Sequence, residues 1–308
     1  MTTTILLGPQ RFLTTAGAVV RGLGTDGPVA TVTAGWEDRE GDDGELQEVM
    51  DGRSRNLQLY GRMIEVLTQD ARVAEVAMAV QDATRDLASV YSARLHHALA
   101  AVYAVQRHPG RRDVVGAALD DAIESVRALD RWYLQQLREL YEDVGLVDAL
   151  GTSELLARHR DEVAEIVSGC SVLAVAGGHV GVLIRGLRLF AVQPPAELPV
   201  VAWSGGAMAV TDRVILFHDD TPQGFSGAEI WDRGLGRARG IVALPHARRR
   251  LRLDDAFRVS VMARRFAGAL CVLLEDGSRV ALGPSGELPP RTRYLHVDGS
   301  VATVEEGR

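Results

Sequence analysis

A strand that ends in a serine set among small residues is the strongest chemical signal in this 308-residue sequence. Val200-Val201-Ala202-Trp203 runs apolar into Ser204-Gly205-Gly206-Ala207-Met208. This is the pattern of a nucleophile elbow, in which a tight strand-to-helix turn tolerates only small neighbours and raises a hydroxyl above the carboxyl edge of a sheet. The same turn would set the Gly205 N–H, at a helix N-terminus, beside a reacting carbonyl and so supply half of an oxyanion hole. Ala202 stands where the strict G-x-S-x-G pattern has glycine, so a structural turn with a helix-capping serine fits these residues as well.

Two further segments could complete a site. Val172 to Ala176 is an apolar run closed by Gly177-Gly178-His179. A Gly-Gly turn lets backbone approach a ligand closely, which makes the Gly178 N–H a second oxyanion donor and puts His179 where a substrate would pass. The third run, Gly240 to Pro245, delivers His246 at its end. A general base for Ser204 would stand there.

Ser204-Gly205-Gly206-Ala207, the Gly177-Gly178 turn, and Gly234-Leu235-Gly236 followed by His246-Ala247-Arg248-Arg249-Arg250-Leu251-Arg252-Leu253 together resemble the peptidase S51 group. That group holds the aspartyl dipeptidase (dipeptidase E) and cyanophycinase enzymes, within the class I glutamine amidotransferase-like fold. Its usual elbow is Ser-Ala-Gly-Ala and its histidine is typically followed by Phe, where this chain has Gly205 and Ala247. Cys271 to Leu282, with Glu275-Asp276, is similar to the group's closing hairpin. The resemblance covers residues 170 to 285 well and 1 to 35 weakly. It implies an α/β fold with a three-layer, mostly parallel sheet. It also implies a serine hydrolase of small aspartyl peptides or isopeptides, with Ser204 as nucleophile, His246 as base and no cofactor. The group's third member is an acid between these two, for which Asp219 and Asp220 are the candidates, Asp219 preferred and Glu229 behind them. A glutaminase would carry cysteine at the elbow, where Ser204 stands.

Composition narrows the chemistry. All 34 Lys+Arg residues are arginine, which excludes Schiff-base lysines and Walker A phosphate loops. The net charge of -7 gives no general reason for a nucleic-acid partner. The strongly positive stretch runs from Arg237 to Arg265 and lacks interleaved aromatics, which argues against single-strand binding. Arg248 and Arg250 in it suit bidentate capture of an acidic, peptide-like substrate beside His246. The plainer alternative is a solvated helix face that pairs with the acidic patch at 37 to 45. Cys170 and Cys271 stand far apart without CxxC or histidine spacing and read as buried reduced thiols. No signal-peptide pattern and no apolar run of ~18 residues is present, so the expected location is the cytoplasm, away from membrane.

The elements that must position these residues are legible in outline. Thr3 to Leu7 and Val29 to Thr33 read as strands with a helix between them, and the acidic patch leads into a helix near Glu45 to Thr68. Apolar positions spaced by three and four mark one long helix from Ala71 to Gln106 and another after His108-Pro109-Gly110, each roughly 50 Å long and folded back as a hairpin. The hairpin lacks the Glu-x-x-His pairing of di-iron bundles, and adjacent His96 and His97 point to different faces, so no metal site is expected. A helix from Ser153 to Val167 and another from Val180 to Leu189 follow, and the tail carries two hairpin signals. The resulting division is a discontinuous α/β core, 1–44 with 166–308, and a helical insertion, 45–165. Gly35 and Gly177 are 142 positions apart, and the insertion is expected to take the place of a strand. A homodimer built on the hairpin is expected, and a catalytically silent protein whose hairpin binds a partner is the competing function.

Overall fold

The computed structural model describes residues 3–219, 227–283 and 285–305. Strand β1 (Thr4–Leu7), helix α1 (Ala16–Arg21) and strand β2 (Val29–Val32) open the chain. A short 3-10 segment, Ala34–Arg39, leads to α2 (Gly44–Val49), β3 (Ser54–Asn56) and α3 (Leu59–Gln69). The long helices α4 (Ala71–Gln106) and α5 (Arg112–Tyr141) come next, then α6 (Val144–Gly151) and α7 (Glu154–Ser168). The chain returns through β4 (Val172–Val175), α8 (Val180–Leu189), β5 (Val200–Trp203) and α9 (Gly205–Ala209). β6 (Arg213–Leu216), β7 (Glu229–Arg233), β8 (Ile241–Pro245), α10 (Ala247–Arg250), α11 (Ala256–Arg265), β9 (Leu270–Leu274), β10 (Arg279–Leu282), β11 (Arg293–Leu295) and β12 (Val301–Thr303) complete it.

The main sheet has the order β10-β1-β5-β4-β2-β3 and is parallel except for β10. Its inner strands are buried throughout and mostly apolar because helices cover both faces. Leu6, Ala30, Val32, Leu173, Val175, Val200 and Ala202 face one core, under α3 and α8. Ile5, Leu7, Val29, Val172, Ala174, Val201 and Trp203 face the other, under α1 and α2 through Ala16, Val19, Val20 and Leu46. A second sheet, β12-β11-β9-β8, contains the parallel pair β8/β9, and β6 pairs with β7 in a ribbon of two strands.

Several expectations change. The helix expected near Glu45 to Thr68 is two helices with β3 between them, pairing parallel to β2 at the sheet edge. The strand expected to be replaced is therefore present, three residues long. The strands on either side of Glu275-Asp276-Gly277-Ser278 form no hairpin, since β9 joins β8 and β11 while β10 joins β1 in the other sheet; β11 and β12 do pair antiparallel. The acidic patch is not wholly solvated either. Glu40 is buried, its Oε2 accepts the Gly61 N–H at the start of α3, and burial raises its pKa. Cys271 is buried, with its thiol pushed up to about 12 by desolvation, while Cys170 is half-buried.

The α4/α5 hairpin has helices of 36 and 30 residues, about 54 and 45 Å long. Its inner stripe (Tyr91, Leu95, Leu99 and Val102 on α4; Ile123, Val126, Leu129, Tyr133 and Leu137 on α5) belongs to the same core as the sheet. The stripe expected from Val76 to Val90 is less well covered, and Val90 is 53% exposed. Tyr91 and Tyr133 stack at 4.1 Å. Beside them Arg265 of α11 grips the Asp130 carboxylate with two bonds of 2.7 and 2.8 Å, and both Arg265 and Asp130 bond the Tyr91 hydroxyl. A fully partnered buried ion pair of this kind fixes the hairpin's register on the core, since any slip would strand a charge away from water.

Candidate active site

The parallel strands end along one edge, and their order there sets the order of the candidate groups. Ser204 directly follows β5 with φ 52° and ψ -121°, a backbone state that non-glycine residues adopt rarely and that turns the side chain up from the edge. Its N–H bonds the Leu7 carbonyl of neighbouring β1 at 3.3 Å. Its hydroxyl makes no cap bond to α9, which removes the reading of Ser204 as a capping residue.

On the β4 side, Gly178 has φ 120°, and a Cβ there would meet the Gly35 carbonyl oxygen at 2.2 Å. The His179 N–H bonds that same carbonyl at 2.7 Å, so Gly35, in the 3-10 segment after β2, fixes the turn from outside. A Cβ on Gly205 would lie 2.9 Å from the Gly178 oxygen and 3.5 Å from its nitrogen. The two expected oxyanion donors are thus neighbours in space. The His179 Nδ1 accepts the Val182 N–H at 3.2 Å and caps α8, leaving Nε2 as the donor that faces outward.

On the β1 side, the Gly8 backbone presses against Glu275: a Cβ on Gly8 would lie 1.8 Å from the Glu275 carbonyl oxygen. Glu275 follows Leu274, whose carbonyl accepts the His246 N–H at 3.1 Å. Backbone contacts thus run from Ser204 through the end of β1 and Gly8 to Glu275, and from Leu274 to His246, which follows β8 of the second sheet. His246 has φ 57° and ψ 34°, is partly buried, and makes no cap bond to α10. Burial, then the charges of Arg250 and Arg249, hold its pKa below the ordinary histidine value, while Asp276 and Glu275 oppose them. The lowered pKa favours the neutral imidazole, the form a general base requires. Among the described residues no hydrogen bond joins Ser204 Oγ to the His246 ring.

The preferred acid is engaged elsewhere. Asp219 accepts from Arg258 at 2.6 Å and from the Arg252 N–H at 2.8 Å, and its own N–H bonds the Arg250 carbonyl. This carboxylate braces the segment after α10 and does not meet His246. Asp220 lies outside the described residues. Glu229 accepts from Ser92 of α4 at 2.9 Å and serves the hairpin contact. The acids whose charge reaches His246 are Asp276 and Glu275. Glu275 is anchored, its Oε1 accepting the Arg248 N–H at 2.8 Å. A β-α-β pattern, from Ile241–Pro245 through α11 to Leu270–Leu274, was the signal that could have brought Glu275 to the histidine's edge.

The basic stretch divides. Arg248 is exposed beside this edge, and Arg250 is half-buried with its guanidinium 5.7 Å from the Phe217 ring. Arg237 bonds the Ala196 and Leu198 carbonyls, Arg264 pairs with Asp120, and Arg265 with Asp130. These side chains serve the fold and do not pair with the acidic patch. A cavity of about 470 Å³ opens beside α4, lined in part by His96, Tyr103, Glu229 and Asp255, but neither Ser204 nor His246 lines it. Among the described residues no group of three or more His, Cys, Asp or Glu side chains is placed to hold a metal ion, and no helix is long and apolar enough to cross a membrane. No protein-family model matches the chain, and no curated protein matches it.

Proposed function

We propose that this protein is a serine hydrolase of the peptidase S51 type, on a class I glutamine amidotransferase-like sheet, that cleaves a small aspartyl peptide or isopeptide amide. The observation that carries this reading is Ser204 in elbow geometry against the Gly177-Gly178 turn, its hydroxyl in no hydrogen bond among the described residues. Ser204 Oγ attacks the scissile carbonyl carbon as its proton passes to His246. The oxyanion is received by the Gly178 and Gly205 N–H groups. Collapse expels the amine, which takes the proton from His246, and water then releases the acid by the same route. Glu275 replaces Asp219 as the acid that orients the imidazole. In this reading Arg248 and His179, both exposed, hold an acidic substrate, and Arg250 acts chiefly on the histidine.

Labelling with a fluorophosphonate, read by peptide mass spectrometry, tests the assignment. One adduct on Ser204, absent from Ser204→Ala, is expected. Well-folded protein that gains no adduct overturns it. That outcome would leave a catalytically silent protein whose hairpin binds a partner or a second copy. The missing Ser204–His246 hydrogen bond favours this second reading, although apo catalytic pairs are often loose.

A further inference from the structure

We propose, resting on the hydrolase reading above, that the loop between β1 and α1 forms the subsite for the leaving half of the substrate, with Phe12 and Leu13 selecting an apolar residue there. Phe12 is 72% exposed and Leu13 50% exposed. Large apolar side chains so placed forgo the gain that burial would bring. The loop is nonetheless braced. The Gln10 Oε1 accepts the Thr15 and Ala16 N–H groups at 2.7 and 2.9 Å, and its Nε2 donates to the Gly8 carbonyl at 3.0 Å. One side chain thus ties both ends of the loop, and Arg11 lies over the Phe12 ring at 5.4 Å.

The location gives these residues an occupant. Gly8, at the base of the loop, follows Leu7, whose carbonyl holds the Ser204 N–H. Leu13 lies against the turn that carries Glu275 and Asp276, where a Cβ on Gly277 would come 2.9 Å from it. The loop therefore runs from β1, which accepts the Ser204 N–H, to the turn after β9, which accepts the His246 N–H. In acyl transfer the carbonyl oxygen turns toward Gly178 and Gly205 on the β4 side. The leaving nitrogen turns toward the imidazole that must protonate it, on the β1 side. The leaving half of the substrate then runs beneath Phe12 and Leu13, whose apolar surface an apolar side chain would cover.

The test compares two probes that differ in leaving group: a diphenyl alkylphosphonate, which expels phenoxide, and an alkyl fluorophosphonate, which expels fluoride. In each, Ser204 Oγ bonds phosphorus, its proton passes to His246, and the leaving anion departs with the bonding electron pair. In Phe12→Ser/Leu13→Ser the ratio of phenyl-ester to fluorophosphonate labelling rates should fall about tenfold, and Phe12→Leu should keep most of it. An unchanged ratio overturns the subsite while leaving the hydrolase intact. Self-association of the wild type that the double variant abolishes, with the ratio unchanged, would assign the loop to a second copy and also overturn it. No labelling of the wild type by either probe removes the hydrolase reading and this inference together.

Discussion

A methyl group on Gly177 would lie 2.8 Å from the Ser204 Cβ and 3.2 Å from its Oγ. The turn after β4 and the elbow after β5 are thus packed backbone against side chain, and the position of the hydroxyl depends on hydrogen at Gly177. Gly177→Ala should push Ser204 out of place. Expected are a loss of fluorophosphonate labelling by at least about a hundredfold and a stability cost of about 1–3 kcal/mol from overpacking. Full labelling at wild-type rate in this variant would contradict the packing.

The depressed His246 pKa predicts the pH profile. The rate of Ser204 labelling should rise with pH through a midpoint below ~6.5, the ordinary histidine value, because only the neutral imidazole accepts the serine proton. Arg250→Gln removes the larger of the two neighbouring charges that hold the pKa down, so its midpoint should move upward. As pH falls, the unfolded chain takes up this proton before the folded one does. The stability linked to His246 is therefore present above the unfolded value and lost as pH falls through the folded value. A midpoint above that of a free histidine would contradict this.

Two acids can be told apart by substitution. Glu275→Gln should slow labelling on the order of 10² or more by leaving the imidazole poorly oriented. Asp219→Asn should instead cost about 1–3 kcal/mol of stability by breaking the partly buried pair with Arg258, read by urea denaturation, and should keep the labelling pH midpoint. The reverse pattern would restore Asp219 to the triad.

The tie between hairpin and core predicts a non-additive pair. Asp130→Leu alone should destabilise by about 3–5 kcal/mol, since it leaves the Arg265 charge buried and unpaired. Asp130→Leu/Arg265→Met should recover most of that loss. Equal costs for the single and the double variant would show that the pair does not act as a unit.

The local features of this protein were legible in its residues. Small residues around Ser204 signal the elbow because a tight turn excludes bulk, and three-and-four spacing from Ala71 to Tyr141 signals the hairpin because one face of each helix must be buried. β3 escaped because three residues, with Arg55 among them, carry too short a period to register. The role of Glu40 escaped because burial of one carboxylate within an acidic run depends on where α3 begins. Only the tertiary structure decided which acids lie near His246. The resemblance favoured Asp219, but that carboxylate pairs with Arg258, while the pairing of β8 with β9 carries Glu275 and Asp276 toward the histidine. Local patterning fixes what a segment becomes; pairing between strands, which depends on the whole chain closing its core, fixes what it meets.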